Sequence, residues 1–210
     1  METAKFNPQK DKAGKYGYTN ADGKVIVPFE YDWMCDYLLQ KQFLLVEKDG
    51  KIGMIDLSNQ TIIPFEYEKP IKFNNYSEFL IIKRDKKDGV FDFQGNVVIP
   101  FEYDTVFEND WDKEICFMVQ KGEYWGVIDR NNNIVLPIEY SFLSTKLIEG
   151  QIVVIASKND KYGIIELNGK VILPFEYEYL DGNFETVPSS LEATKDGKCT
   201  LINLRGKPII

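Results

Sequence analysis

Lys161-Tyr162-Gly163-Ile164-Ile165-Glu166-Leu167-Asn168-Gly169-Lys170-Val171-Ile172-Leu173-Pro174-Phe175-Glu176-Tyr177 is the stretch that decides how this chain folds. It opens on an aromatic and a Gly. An acid follows three residues later, a second Gly three after that, and an aliphatic run then leads into Pro-Phe-Glu-Tyr. Working outward, the same order of residues returns. Gly17, Gly53, Gly89, Gly126 and Gly163 open five complete copies, and Pro28, Pro64, Pro100, Pro137 and Pro174 stand eleven residues after them. The period is 36 or 37 residues. A fixed period in this range marks a tandem repeat protein, in which each unit buries its apolar face against its neighbours. A residue present in every copy is then scaffold, and function is sought where the copies differ.

Each copy reads as strands and turns. The runs Phe43–Val46, Phe79–Ile82, Ile115–Val119 and Ile152–Ala156 are continuous rather than alternating, which fits strands covered on both faces. Asp49-Gly50, Asn159-Asp160 and Asp196-Gly197 are hairpin dipeptides. A further turn begins at Asn20, Asp56, Asp92, Asp129, Glu166 and Asn203, and three residues on only Gly or Asn occurs: Gly23, Asn59, Gly95, Asn132, Gly169, Gly206. Those two residues tolerate positive φ best, so the spacing predicts a type I turn closed by a left-handed residue. The Pro is expected to end the ladder, because it has no N–H. The Phe after it is expected to tuck under the neighbouring unit. The segment after each Tyr varies freely and supplies a fourth strand.

These residues resemble the bacterial WG repeat, also called the KWG repeat. Trp125-Gly126 keeps the literal dipeptide, Tyr16-Gly17 and Tyr162-Gly163 are close variants, and Ile52-Gly53 and Asp88-Gly89 depart from it. Cys199-Thr200 loses both residues. The resemblance covers residues from about 10 to 210. It implies an all-β repeat scaffold, generally without an assigned enzymatic activity, and no catalytic residues carry over.

Composition narrows the chemistry. The 210-residue chain carries 25 Lys and Arg against 33 Asp and Glu, a net charge of −8, with no His. Lacking His removes the commonest general base and metal ligand. The acidic balance argues against phosphate-led nucleic-acid binding. Cys35, Cys116 and Cys199 are far apart and outside any CxxC pair, so no disulfide framework or zinc site is expected. No apolar stretch spans a bilayer, and the first residues lack a secretory core, so a cytoplasmic protein without cofactors is expected.

The fold expected is all-β: tandem antiparallel hairpin and meander repeats forming one domain over residues 1–210. Its units run about 10–45, 46–81, 82–118, 119–155, 156–192 and, in part, 193–210. An open curved array is the leading arrangement, with a six-bladed propeller-like ring as the alternative. Glu30, Glu66, Glu102, Glu139 and Glu176 recur at one position. They are expected to pair with Lys15, Lys51, Lys87, Lys161 and Lys198 of neighbouring units rather than to catalyse, because an active site is built once. The leading function is a non-catalytic scaffold whose variable segments (33–41, 73–78, 107–114, 141–147 and 180–186) meet a protein partner bearing a basic patch, for instance a basic toxin neutralised by its immunity protein. The residues singled out for that contact are Trp33, Tyr37, Tyr76, Asp110, Trp111, Asp112 and Phe184. The alternative is a carbohydrate-binding or carboxylate-dependent glycoside-acting protein.

Overall fold

A computed structural model describes residues 8–20, 22–35, 42–72, 78–111, 114–148, 151–183 and 190–209. Every regular element among them is a β-strand, and every pairing is antiparallel between strands consecutive in sequence. No sheet among the described residues closes on itself. The chain divides into two compact units, Met1–Glu102 and Tyr103–Ile210.

The first unit holds two sheets. One consists of β1 (Gln9–Lys10), β2 (Tyr16–Thr19) and β3 (Val25–Tyr31). The other runs from β4 (Trp33–Cys35) through β5 (Phe43–Lys48), β6 (Lys51–Asp56), β7 (Thr61–Lys72), β8 (Phe79–Arg84) and β9 (Lys87–Asp92) to β10 (Val97–Tyr103). It has seven strands because β7 does not break after Tyr67 and pairs with both β6 and β8. The second unit holds three meanders. They are β11 (Thr105–Trp111) to β14 (Ile134–Tyr140) by way of β12 (Glu114–Lys121) and β13 (Tyr124–Asp129); β15 (Phe142–Ile148), β16 (Gln151–Lys158), β17 (Lys161–Ile165) and β18 (Val171–Tyr177); and β19 (Tyr179–Asn183), β20 (Ser190–Lys195) and β21 (Lys198–Ile202).

The sheets are offset from the sequence repeat. The variable segment after Tyr31, Tyr103, Tyr140 and Tyr177 forms the outermost strand of the next sheet, and that after Tyr67 is the far end of β7, which passes on to pair with β8. The residue after the Tyr makes the first link: Asp104 N–H donates to the Gln120 carbonyl, Ser141 to Ser157 and Glu178 to Thr194. Each sequence unit thus gives three strands to one sheet and one strand to the next. Within each compact unit, separating two repeats would break backbone hydrogen bonds as well as apolar contact. The expected tail loops, where described, are therefore strands whose side chains alternate between faces.

Apolar residues on the middle strands alternate between neighbours. Val154 and Ala156 of β16 pack with Val127, Leu136 and Tyr140 of the preceding sheet. Val153 and Ile155 pack with Leu180, Leu191, Ala193 and Ile202 of the following one. Both faces are covered, which is why these strands read as unbroken apolar runs. In the first unit, Leu44 and Val46 likewise join Tyr18, Val27 and Tyr31, while Leu45 joins Leu80, Ile82 and Phe91.

The turns form as their residues dictate. In the second copy, Asp56 Oδ1 accepts from Ser58 and Gln60 N–H at 2.8 Å each, and Asn59 N–H donates to the Asp56 carbonyl at 3.0 Å. Asn59 has φ 64° and Asn132 φ 64°. Glu166 is too long to bond its own backbone, so Asn168 takes over and accepts from Lys170 N–H at 2.9 Å. The choice of Asn over Gly has a tertiary consequence. Tyr31 hydroxyl donates to Asn59 Oδ1 at 2.6 Å, and Tyr103 hydroxyl to Asn132 Oδ1 at 2.9 Å, each tying one copy to the next. Tyr31→Phe and Asn59→Gly should each cost about 1 kcal/mol in urea unfolding, and the double variant no more than the larger single loss. Additive losses would show that the two groups act independently.

The Pro does not end the strand, contrary to the sequence expectation. Tyr18 pairs with Val27 and Tyr16 with Tyr31, so Pro28, Phe29 and Glu30 lie opposite Gly17 alone. Ile52↔Tyr67 and Met54↔Ile63, Trp125↔Tyr140 and Val127↔Leu136, and Tyr162↔Tyr177 and Ile164↔Leu173 repeat that register. A bulge of this kind absorbs the missing N–H and lets pairing resume at the Tyr. It also turns the Phe back over the Gly. Phe65 stacks on Tyr31 of the preceding copy at 6.0 Å, Phe101 on Tyr67 at 5.6 Å, and Phe175 on Tyr140 at 6.1 Å. The aromatic does tuck under its neighbour.

Candidate functional site

Charged residues at several hairpin tips form a clamp, with a pairing different from the one expected. Lys48 and Lys51 face each other across the Asp49-Gly50 turn, as Lys158 and Lys161 do across Asn159-Asp160. Like charges directly opposite repel, and the two Lys diverge to separate acids. Lys48 reaches back to Glu30 at 3.0 Å, Lys158 to Glu139 at 2.8 Å and Lys195 to Glu176 at 2.7 Å. Lys15 pairs with Asp32, Lys51 with Glu68 at 3.5 Å and Lys161 with Glu178 at 3.7 Å. The recurring Glu therefore does bridge copies, but through the Lys before the hairpin turn. The Lys after the turn pairs within its own copy. The bulge sets this arrangement, because it places Glu beside the incoming hairpin and leaves the residue after Tyr beside the outgoing strand. The Lys48 ammonium holds the Glu30 carboxyl below its usual range. These pairs are substantially exposed and screened by water, so they orient the hairpins more than they stabilise the fold.

Aromatics divide by exposure. Tyr31, Tyr67, Tyr103, Tyr140 and Tyr177, present in every complete copy, are 2–7% exposed. Phe107, Tyr124, Phe142 and Tyr179 are 43%, 51%, 40% and 43% exposed; Phe107 and Tyr124 stand alone among the copies, whereas Phe142 and Tyr179 share one repeat position with Trp33. All four belong to the second unit. Phe107 stacks on Trp125 at 5.9 Å. Phe142 and Tyr162 are 5.7 Å apart, Tyr162 and Tyr179 6.4 Å apart, with their planes inclined at 59° and 57°. Phe142, Ser157 and Tyr162 lie in register across β15, β16 and β17, and Tyr179 continues the row from the next sheet.

Of the residues singled out from sequence, Trp33 is half-buried and packs against the Leu45, Met54 and Ile63 core. Asp110 and Trp111 close β11, in register with Ile115 and Glu114. Tyr37, Tyr76, Asp112 and Phe184 lie outside the described residues. Sequence reasoning named none of Phe107, Tyr124, Phe142 and Tyr179 singly, although Phe107 and Phe142 fall within the expected segments 107–114 and 141–147. Tyr124 stands where every other copy holds Lys, and Phe107 where others hold Cys35, Ile71, Ser144 and Asp181, whereas Phe142 and Tyr179 share their place with Trp33; the row they form needed the strand register to become visible. No group of three or more acids or cysteines among the described residues is arranged to hold a metal. No helix among them is long and apolar enough to cross a membrane.

The model of the WG containing repeat matches residues 16–51, 52–87, 89–124, 125–162 and 162–185. The chain belongs to the WG-repeat family. No protein of curated function matches it. Solved structures similar to it include dihydro-heme d1 dehydrogenase NirN in complex with DHE (11% identity, TM-score 0.44, covering 93% of this chain and 48% of that one). A eukaryotic initiation factor (11%, 0.35, 97% and 73%) and BBS1N in complex with ARL6DN (11%, 0.33, 93% and 75%) are similar at the same level. The WG repeat chain thus spans about half the length of the first of these.

The two residues that name the WG repeat have separate duties here. The Gly is required because the residue twelve positions on lies against it. A methyl on Gly89 would stand 2.8 Å from the Phe101 ring, and on Gly17 2.7 Å from that of Phe29. The aromatic before it sits half-buried at the sheet rim. Tyr16 there lies under Lys10, with Nζ 4.6 Å from the ring centre, and Trp125 under Phe107. In the third copy this place is taken by Asp88, 1% exposed and paired with Lys83 at 2.7 Å.

Proposed function

We propose that the chain is a non-catalytic scaffold that binds another protein through the exposed aromatic positions of its second unit. The gathering of four exposed aromatics in the second unit, against repeat tyrosines that are buried in every complete copy, carries this reading. Exposed Phe and Tyr are expensive to leave in water and are enriched at the centres of protein interfaces. The recurring carboxylates have structural occupations in Asx turns and ion pairs, which supports the absence of a catalytic pair. The net charge of −8 favours a partner with a basic patch, of which a basic toxin held by its immunity protein is one type. Rings inclined by 57° and 59° form grooves rather than a flat platform, which favours inserted side chains over stacked sugars.

Affinity capture from the native cytoplasm, with wild type beside a Phe142→Ala/Tyr179→Ala double variant, tests the reading. The expected result is one protein retained in stoichiometric amount by the wild type and lost from the variant, with the melting temperature of the variant within a few degrees. Retention of a polysaccharide in place of a protein, or equal retention by both, would remove this assignment.

A further inference from the structure

The fourth copy departs from the scaffold at three positions, and the fold gathers all three into one cleft. Five copies carry Lys two residues before the first Gly or its equivalent; the fourth carries Tyr124. The residue after the Pro-Phe-Glu-Tyr is Asp32, Glu68, Asp104 or Glu178, but Ser141 in the fourth copy. Phe follows the Pro in four copies, and Ile138 in this one. The ion pair made by Lys15 with Asp32, Lys51 with Glu68 and Lys161 with Glu178 therefore has no counterpart here, and the aromatic that covers the bulge is replaced by a smaller side chain.

Between the Gly122-Glu123 and Asn159-Asp160 hairpin tips these exchanges leave an open cleft of about 530 Å³, lined by Tyr124, Ile138 and Ser141. The Tyr124 ring is 51% exposed. The Glu139–Lys158 ion pair forms one wall, and the carboxylates of Glu123 and Asp160 stand at the rim. Neither of those two carboxylates has a cation within ion-pair distance among the described residues, whereas Glu139 is neutralised by Lys158 at 2.8 Å. The cleft thus offers an aromatic face, an aliphatic floor, a hydroxyl and two uncompensated negative charges.

We propose that this cleft receives a basic side chain, the guanidinium or ammonium of an Arg or Lys presented by the protein partner. The cation lies over the Tyr124 ring, its stem packs on Ile138, and Glu123 and Asp160 accept its hydrogen bonds. Each element matches a known way of recognising such a group: cation–π attraction, burial of the aliphatic stem, and charge-assisted hydrogen bonds. Where the scaffold pair is formed, Lys and its acid stand at the places of Tyr124 and Ser141; here both are exchanged, so the scaffold's own Lys is gone from that position and the acids at the rim are Glu123 and Asp160 instead. This inference rests on the protein-binding reading and names the chemistry that reading lacks.

The test uses the full chain and four probes: Gly-Arg-Gly, Gly-Lys-Gly, Gly-Gln-Gly and spermidine, followed by the Tyr124 ring resonances and, in every variant, by the backbone amide resonances of Glu139 and Lys158. The basic tripeptides should shift them and Gly-Gln-Gly should not. Affinity should fall about tenfold or more in Glu123→Gln/Asp160→Asn, and equally in the scaffold-restoring Tyr124→Lys/Ser141→Glu/Ile138→Phe. The second variant should hold or raise the melting temperature, since each of its residues already serves at the same position in other copies. Binding by Gly-Gln-Gly, undiminished binding in either variant, or no shift with any tripeptide would overturn the proposal. A response to spermidine alone would overturn it as well, by assigning the cleft to free polyamines. Capture of the stoichiometric partner by the restored variant but not by Phe142→Ala/Tyr179→Ala would sink this site and leave the scaffold standing. A Tyr124 response to the tripeptides with no captured partner would do the reverse.

Discussion

Gly126→Ala destabilises the protein by about 3 kcal/mol and lowers its melting temperature by roughly 10 °C. The methyl would stand 2.7 Å from Ile138 Cγ1, 2.8 Å from the Leu136 carbonyl oxygen and 2.9 Å from Ile138 Cα. Two of those three atoms are backbone, so no side-chain rotation relieves the clash. The three-residue bulge itself must move, and with it the pairing of Trp125 with Tyr140. Gly122→Ala is the comparison that isolates the cause. Gly122 has φ +64° with nothing within 4 Å of the added methyl, so it loses only the cost of a left-handed Ala, about 1 kcal/mol. Thermal and urea unfolding of the two variants should rank them in that order. If Gly122→Ala proves the more harmful, the close approach of the bulge is not what the repeated Gly serves.

Alkaline unfolding is the second large effect. Burial, followed by the neighbouring Glu30 charge, pushes the Tyr31 phenol up from 10.0 to about 12. Burial also raises Tyr67, Tyr140 and Tyr177, each helped by the Glu beside it. A folded-state value above the unfolded one means that the native protein holds its proton longer. The stability is complete below about pH 10 and is lost as pH rises from there to about 12. A rise of about two units at Tyr31 corresponds to about 2–3 kcal/mol, and the other tyrosines add losses of the same sign. Lys158 and Lys195, raised by their hydrogen bonds to Glu139 and Glu176, also hold their protons longer in the folded protein, an effect of the same sign. Melting temperature should be level to about pH 9 and then fall steeply, with phenolate absorbance appearing together with loss of strand circular dichroism. Tyr31→Phe should flatten the fall, although it starts less stable for want of the Asn59 bond. Phenolate appearing well before the strands melt would mean that these rings are not held neutral by the fold.

The repeat, its strands and its turns were legible because they depend on neighbours in sequence. Positive φ at Asn59, Gly95 and Asn132 follows from residue type, and unbroken apolar runs such as Val153–Ala156 follow from burial on both faces. The ladder through Pro28 was misread, because Pro alone predicts a stop. Only pairing across β2 shows that three residues can bulge past one Gly. The ion pairs were assigned to the wrong Lys for the same reason, since the bulge shifts which side chains meet.

What the sequence by itself determined was the all-β repeat and the places where one copy differs from another. Periodicity and turn chemistry are local, and they recur whatever surrounds them. What the tertiary structure alone decided was which differences count. Tyr124, Ile138 and Ser141 lie up to seventeen positions apart and each looks like drift when taken singly. Hairpin register and the backward fold of the bulge bring them to one cleft. Phe142, Tyr162 and Tyr179, from three strands of two sheets, become one row by the same means. Contact between residues distant in sequence is fixed by how strands pair and sheets stack, and no single strand carries that information.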